Sequence, residues 1–585
     1  MAETLISPGV FLNENDLSQL TEGPIAAGAA LLGPTVTGPV NIPTVVTTYS
    51  QYKAIFGSAF VSGGSNYEYL TSIAALNYFE QGGDSLLVTR IASGSYTKAT
   101  ASIATSTGSV IAFTLETLTP GVVMNNYYQV SSSALTSGSA SNIRWEITAA
   151  NSASGLFNLV IRRGDDVENS KTILETWNNL SLDPNQNNYI AYIIGDQTQN
   201  IKIDSNGNAY IQISGSYANK SKYVRVSSVN SPTPGYFNQS GVAQNQFTSS
   251  IPSIGSGSVG GTFSGAAGDL YGCYSSGALN MFEAIPTSNS VSGTVATNIQ
   301  GVFASDYATA INLLTNKESY AINVLYAPGL TSQNANTTIN SIVSLAQDRG
   351  DCIAVVDMVA YGQNISTVTT QAVSYDSSYA ATYWPWLQIK SRETGKLNFV
   401  PASTLVPAVY EYNDKVSAEW FAPAGLNRGS LSTVLQPERK LNVADRNTLY
   451  QSKVNPIASF AGVGTVIYGQ KTLQQKPSAL DRVNVRRLLI ALKSYIGQIG
   501  ETILFEPNTQ VTRNKFLSQV NPYLESVQQR QGLYAFQVVM DETNNTPDVI
   551  DRNQLVGTIY IQPTRTAEFI QLDFNILPTG ATFGQ

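Results

Sequence analysis

The strongest constraint on the fold is an abrupt change of material inside the chain. From Ile25 to Ile91, and again from Ser305 to Lys440, short apolar runs alternate with amphipathic stretches. Between them, from Ala92 to Gly301, the sequence is rich in Ser, Thr, Asn, Gly and Gln. In the first stretch Ala29-Ala30-Leu31-Leu32 reads as a buried strand and Thr44 to Thr47 as another. Tyr69, Leu70, Ile73, Leu76 and Phe79 give a helix from Asn66 to Phe79 an apolar side, Gly82-Gly83 ends it, and Leu86 to Ile91 is a strand. In the second stretch Asp306 to Thr315 is a helix. Tyr320 to Leu325 is a strand ending at Ala327-Pro328-Gly329, Asn340 to Gln347 a helix and Cys352 to Asp357 a strand. Strand, helix and strand at this spacing predict a parallel βαβ unit. The two stretches are therefore expected to form one discontinuous α/β domain, with the middle spliced in as a β-rich module.

Within the middle, Ile201 and Ile203, then Asn206-Gly207, then Ile211 and Ile213 make a β-hairpin signature. Val226 to Gly268 carries no charged residue, a texture of loops and weak β structure. Beyond Leu441, Asp481 to Ile499 is the clearest helix. Asn508 to Gln529 holds a second, with Pro522 as a kink or break. Tyr534 to Met540 and Gly557 to Ile561 read as strands. Both chain ends read as strands outside a compact body. Val10-Phe11-Leu12 follows the turn signal Ser7-Pro8-Gly9, and Ile570, Leu572, Phe574 and Ile576 alternate with Gln571, Asp573 and Asn575. The expected class is α+β and multidomain: a discontinuous α/β core, a β-rich insertion, an α/β C-terminal domain and extended terminal arms. The expected boundaries are an arm over 1–24, core over 25–92 and 301–440, inserted module over 93–300, C-terminal domain over 441–565 and arm over 566–585.

Composition narrows the chemistry. The chain's 585 residues include no histidine, which removes Ser-His-Asp and Cys-His catalysis and histidine-ligated metals. Two cysteines, Cys273 and Cys352, cannot build a disulfide framework or a four-cysteine metal site. The net charge of -7 argues against general nucleic-acid binding. No basic segment followed by an apolar one opens the chain, and no stretch of 18 apolar residues occurs, so neither an export signal nor a membrane span is expected. Charged residues are only 12%, about half the usual share; copies of such a surface repel one another weakly, which suits self-assembly.

The local motifs that resemble catalytic sites have simpler readings. Gly255-Ser256-Gly257-Ser258-Val259-Gly260 fits a dinucleotide pattern but lacks the flanking strand and helix that the pattern needs. Asp204-Ser205-Asn206-Gly207-Asn208 resembles half a calcium loop, yet Ala209 stands at the sixth position, and a hairpin turn is the better reading. Asp165-Asp166, beside Arg162, Arg163 and Glu168, reads as a solvated charged loop. Cys352 reads as a core residue. No cofactor, metal or catalytic residue is expected, and the chain reads as a non-enzyme.

One constellation stands out. On a helix from Asp481, Val485, Leu488, Leu489, Leu492, Ile496 and Ile499 fall on one face. Arg482, Arg486 and Lys493 cluster in a neighbouring stripe, with Arg487 farther round. Such a stripe either meets an acidic partner or consists of charges solvated or paired within the domain.

Taken together, several segments resemble the contractile tail sheath proteins of myovirus-type phages. They include Ser7-Pro8-Gly9-Val10-Phe11, Leu32-Gly33-Pro34-Thr35, Phe79-Glu80-Gln81-Gly82-Gly83 and Val88-Thr89-Arg90-Ile91. Farther on are Tyr383-Trp384-Pro385-Trp386, Trp420-Phe421-Ala422-Pro423-Ala424-Gly425, Asn455-Pro456-Ile457 and Tyr468-Gly469-Gln470-Lys471-Thr472. Asp481 to Leu488 and Phe505-Glu506-Pro507-Asn508 complete the series. Tyr468 departs from the pattern, standing where many relatives carry Trp, and the 93–300 module is not covered. The resemblance implies a C-terminal assembly domain and outer insertions on the core. It also implies stacked hexameric rings around an inner tail tube, with baseplate and tail terminator proteins as further partners, and neither nucleic acid nor membrane insertion. A trigger at the baseplate would shorten the sheath and drive the tube through the host envelope. The location implied is the virion, after assembly in the host cytoplasm. Arg482, Arg486, Arg487 and Lys493 would face the tube, and the arms, through Val10, Phe11, Leu12, Ile570, Leu572, Phe574 and Ile576, would add strands to neighbouring subunits. The sheath of a phage-derived injection or bacteriocin particle is the near alternative. A β-rich surface adhesin is a distant one that predicts an export signal, and a carboxylate hydrolase would need paired acids in a cleft.

Overall fold

A computed structural model describes residues 25–62, 65–93, 97–108, 110–120, 143–164, 166, 170–255, 300 and 302–568. Its spine is an eight-stranded sheet built from β1 (Ile25–Gly33), β2 (Thr44–Val46), β3 (Leu86–Arg90), β4 (Tyr320–Thr331), β5 (Ile353–Asp357), β6 (Ala380–Trp384), β7 (Asn455–Phe460) and β8 (Gly464–Ile467). The spatial order is β2-β3-β1-β4-β5-β6-β7-β8. The six inner strands run parallel, and each edge is closed by an antiparallel strand, β2 against β3 and β8 against β7. In register, Ile25 lies opposite Tyr320 and Leu31 opposite Tyr326, so residues from both sides of the 93–300 segment share this sheet. Every position of β3, β5 and β6 is buried, the signature of parallel strands covered on both faces.

Alternation along the strands feeds two separate cores. On one face Leu32, Leu87, Leu325 and Val356 pack with Ile339, Ile342 and Leu345 of helix Ser332–Arg349. On the other, Leu31, Val88, Tyr326 and Val355 pack with Leu70 and Ile73 of α1 (Leu70–Glu80). Val409 and Tyr410 of a second helix, α2 (Val406–Val416), complete that cluster. The helix expected from Asn66 begins only at Leu70, because Ser65–Glu68 pairs as a strand with Ala59–Ser62. Strand β4 runs on through Ala327-Pro328-Gly329, which was expected to end it. Its pairing with β5 is irregular between Tyr326 and Thr331, so the missing N–H of Pro328 costs no regular ladder bond.

The middle of the chain holds two three-stranded antiparallel sheets. One is Thr100–Ala104, Ile111–Thr117 and Val224–Val229; the other is Ile143–Asn151, Leu156–Arg163 and Ile173–Ser181. Both contribute to one core, in which Phe113 stacks on Phe157 at 5.5 Å. The hairpin signature resolves as Thr198–Ile203 paired with Ala209–Ser214. Asp204 Oδ1 accepts from the Asn206 and Asn208 N–H groups, each at 2.8 Å, so this carboxylate organises a turn. The reading of Asp166 as solvated is corrected. It is 4% exposed and is paired with Arg162 at 2.8 Å and Arg144 at 3.4 Å, two buried arginines that stand opposite each other on neighbouring strands. Residues 256–260 of the Gly-rich pattern lie outside the described residues.

The sheet continues past residue 440. Strands β7 and β8 follow it in sequence, yet β7 pairs with β6 through Tyr383–Asn455 and Trp384–Pro456. After them come α3 (Val483–Glu501) and α4 (Gln510–Gln529), then a hairpin of Leu533–Val539 and Thr558–Pro563. Leu488, Leu492, Phe516, Val520, Leu524 and Leu533 join these elements in a separate core. Helix α4 is continuous through Pro522; the proline lies on its exposed side, where water can satisfy the carbonyl left without a partner. The molecule is thus a mixed α and β protein with several sheets. The arm residues Val10, Phe11, Leu12, Ile570, Leu572, Phe574 and Ile576 lie outside the described residues.

Candidate functional site

Helix α3 carries two apolar stripes rather than one. Leu488, Leu492 and Ile499 enter the C-terminal core. Val483 and Ile490 enter the core beneath the central sheet. The first half of the helix is consequently buried nearly all round, and this decides the fate of the four basic candidates.

Arg487 lies four residues after Val483 and three before Ile490, on the stripe that faces the central sheet. It is 3% exposed. Its Nη1 donates to Asp414 Oδ1 at 2.7 Å, its Nη2 bonds Oδ2, and the guanidinium lies 4.9 Å from the Tyr410 ring centre. Arg486 is also buried. It stacks on Tyr379 at 4.0 Å and bonds the Ser378 hydroxyl, and burial lowers its pKa. Arg482 caps the helix start and is bound to Glu568 and Asp481. Lys493 alone of the four is exposed, its Nζ donating to the Tyr379 hydroxyl at 3.4 Å. The structure therefore brings Arg486 and Lys493 together around Tyr379 and separates them from Arg487. In this subunit Arg486 and Arg487 are internal groups. The second apolar stripe, Val483 to Ile490, is the signal that would have revealed this.

A groove of about 1130 Å³ opens between the central sheet and the C-terminal core. Trp420, Phe421, Tyr450, Tyr468 and Leu533 line it with Glu568. Segments far apart in sequence, 420–425, 456 and 468–470, thus converge on one surface. Arg446 sits between Phe460 and Tyr468, at 5.4 and 5.6 Å, and Arg428 over Phe421 at 5.0 Å. Among the described residues neither arginine pairs with a carboxylate, so the groove is aromatic with a positive lining. Sequence reasoning missed it because its residues come from helices, strands and loops far apart in the chain. Beside it, the strand Leu533–Val539 pairs only with Thr558–Pro563 among the described residues, leaving both outer edges of the hairpin open. At the α3–α4 turn Phe505 is fully exposed, with φ of 66°.

Cys352 is fully buried, and burial pushes its thiol up to about 12, so it packs as an apolar residue. Among the described residues no group of three or more Cys, Asp or Glu could hold a metal ion, and no helix is long and apolar enough to cross a membrane. What the arrangement offers is surface: an aromatic, cationic groove and open strand edges.

Comparison with known proteins agrees with this character. Residues 300–473 match the phage tail sheath protein central domain, and residues 475–576 the phage tail sheath C-terminal domain. The tail sheath protein of Enterobacteria phage T4 is 33% identical over 315 residues, which are 50% of this chain and 48% of that protein. The tail sheath protein of Vibrio phage KVP40 is 33% identical over 307 residues, 48% of this chain and 46% of that protein. The chain thus spans about half the length of these curated relatives. The crystal structure of the sheath tail protein from Listeria innocua superposes with a TM-score of 0.50 over 92% of this chain and 95% of that one, at 11% identity, a likeness of fold. Both sheath domains are thus matched in order across the β4–β8 region and the α3–α4 core, and over this part the chain is similar to phage tail sheath proteins.

Proposed function

We propose that this chain is the structural subunit of a contractile phage tail sheath, a virion component that polymerises around an inner tail tube and shortens to drive the tube through the host envelope. The observation that carries the reading is the ordered match of residues 300–473 and 475–576 to the two sheath domains. Its partners are other copies of itself in stacked hexameric rings, the tail tube protein, and the baseplate and terminator proteins at the two ends. Assembly takes place in the host cytoplasm.

The division of labour follows from the surfaces. The core contributes rigidity, and the module over 93–300 lies outside the sheath proper. The C-terminal unit, beginning near residue 475, makes the contacts that persist on contraction. The arms, 1–24 and the residues after 568, extend to neighbouring copies and add strands to the open edges of the 533–563 hairpin. Charge supports this: residues 1–24 contain Glu3, Glu14, Asp16 and Glu22 and no Lys or Arg, and the groove beside the hairpin presents Arg428 and Arg446. Of the basic candidates, Lys493 is the one positioned to face a tube; Arg482, Arg486 and Arg487 hold its helix in place. Contraction would exchange one set of subunit interfaces for another while these arm contacts last.

Electron microscopy of the purified protein in negative stain tests the reading. Tubes or stacked rings are expected, and deletion of Phe569 to Gln585 should leave soluble monomers. A protein that stays monomeric at every concentration would overturn the proposal, and polymerisation unaffected by the deletion would remove the arm mechanism.

A further inference from the structure

The side chain of Glu568 is held by four donors that come from three separate places. Arg482 Nε donates to Oε1 at 2.7 Å and Arg482 Nη2 to Oε2 at 3.0 Å. The Tyr450 hydroxyl donates to Oε2 at 2.9 Å and Gln470 Nε2 to Oε1 at 3.1 Å. Gln470 also reaches Thr566 Oγ1 at 2.6 Å. Tyr450 belongs to the helix Val443–Gln451, Gln470 to the segment after β8, and Arg482 to the start of α3. A forked, charge-assisted contact of this kind fixes direction as well as position.

The surroundings require a carboxylate at this point. Lys453 and Lys471 stand beside Arg482, with Asp481 as the other carboxylate among them. Lys471 lies 4.1 Å from the Tyr450 ring centre and donates to the Tyr450 carbonyl at 2.7 Å. Without Glu568, three cations would face one carboxylate in a half-buried site. The course of the chain is equally telling. The strand Thr558–Pro563 ends in the hairpin of the C-terminal core, yet the next five residues return to the side of the central sheet. The chain is fastened there, on the rim of the groove, immediately before the segment with the alternating apolar residues Ile570, Leu572, Phe574 and Ile576.

We infer that Glu568 is the positioning residue of the C-terminal arm. The clasp of Arg482, Tyr450 and Gln470 sets the point and direction from which residues 569–585 leave the subunit, so that they reach an adjacent copy in a fixed register. A segment launched from a fixed root has a much higher effective concentration at one target than a segment on a loose tether. The inference rests on the sheath reading, which supplies the adjacent copy.

The test uses the full-length chain and two independent readouts. Trypsin can cut after Arg565, and the sequence has no Lys or Arg beyond it, so release of the C-terminal peptide reports opening of the clasp. Sedimentation reports the concentration needed for polymerisation. With Glu568→Gln, cleavage after Arg565 should accelerate about tenfold or more while the main melting transition stays in place, and the polymerisation threshold should rise by a similar factor. Tyr450→Phe, which removes one donor and keeps every charge, should move both readouts in the same direction by less, and it serves if Glu568→Gln does not fold. Unchanged cleavage would show that the clasp does not hold the chain and would overturn the inference. Faster cleavage with an unchanged threshold would overturn it too, because the arm would then not need a fixed root. A wild-type protein that never polymerises would instead remove the sheath reading, and the cleavage assay would still show whether the clasp exists.

Discussion

Arg487 of α3 and Asp414 of α2 form a two-pronged ion pair between two helices that share the core beneath the central sheet, α3 also entering the C-terminal core. The guanidinium side chain is 3% exposed and the carboxylate 19%. Burial alone would favour the neutral arginine; attraction and hydrogen bonding to Asp414 outweigh it and raise the pKa. Replacing Arg487 with Met should therefore strand Asp414 and cost about 2–3 kcal/mol, below the full penalty for a completely buried pair because Asp414 keeps some water. Urea midpoints of R487M, D414N and the double variant check this. The double variant should recover part of the loss, and independent, additive effects would show that the pair is not coupled.

The basic helix illustrates what the sequence could and could not show. Its existence and its Leu488–Leu492–Ile499 face were legible, because a single apolar stripe has a clear period. The second stripe was not, because it is short and an arginine interrupts it. Val483 and Ile490 mark a contact with a sheet whose strands β1 to β3 lie hundreds of residues earlier, and periodicity within one helix cannot report a partner that far away. The parallel sheet itself was readable through β1, β3, β4 and β5, which are near-continuous apolar runs. Strands β7 and β8 were missed as sheet members. Asn455-Pro456 opens β7 with a residue that resembles a loop signal, and it is tolerated because the Asn455 side chain satisfies backbone groups at Thr382 and Lys471. The groove and the Glu568 clasp were invisible for a related reason: each is assembled from residues on elements far apart in the chain.

The basic residues now separate into two experiments. Lys493 is exposed, so Lys493→Glu should leave the urea midpoint within about 0.5 kcal/mol of wild type. It is the clean probe of a tube contact, and under the sheath reading it should reduce loading on the tube. Arg486→Glu should behave differently. It would place a carboxylate in a buried position where a guanidinium now stacks on Tyr379 and bonds Ser378. A loss of about 3 kcal/mol or more, or failure to fold, is expected. Equal stability of K493E and R486E would contradict the burial of Arg486.

Gly28 in β1 marks a place where side chains crowd the backbone. The Tyr78 hydroxyl of α1 lies 2.8 Å from Glu411 Oε1 of α2 and 3.0 Å from the Ser85 carbonyl, its single proton shared between the two acceptors. A Cβ on Gly28 would stand 2.3 Å from that hydroxyl and 2.5 Å from the Glu411 oxygen. Gly28→Ala should therefore push apart the bridge between the two helices and cost about 1–3 kcal/mol. Tyr78→Phe combined with Gly28→Ala should cost less than the sum of the two single changes, since removing the hydroxyl makes room for the methyl. Thermal melts of the three variants decide it; a harmless Gly28→Ala would show that the bridge yields without cost.

Asp357 at the end of β5 gives the protein a defined pH dependence. It is 4% exposed, and its carboxyl accepts from the Ser403 N–H at 3.1 Å and contacts the Ser403 hydroxyl. Burial pushes its pKa up from 3.8 to about 7, against the lowering effect of those hydrogen bonds. The folded protein thus holds this proton where the unfolded chain has released it. Between the unfolded value near 4 and the folded value near 7, stability contributed by this group falls as pH rises, and above 7 the loss is complete. Asp357→Asn mimics the protonated acid, keeping an acceptor for the Ser403 N–H and a donor for its hydroxyl. The variant should match wild type near pH 4 and become progressively more stable than it up to pH 8, by on the order of 2–4 kcal/mol. Urea midpoints for both proteins at half-unit steps from pH 5 to pH 8 isolate the group, because every other titration cancels in the difference. A difference that stays flat across that range would mean that Asp357 is ionised in the folded protein throughout, with its charge carried by the two Ser403 contacts.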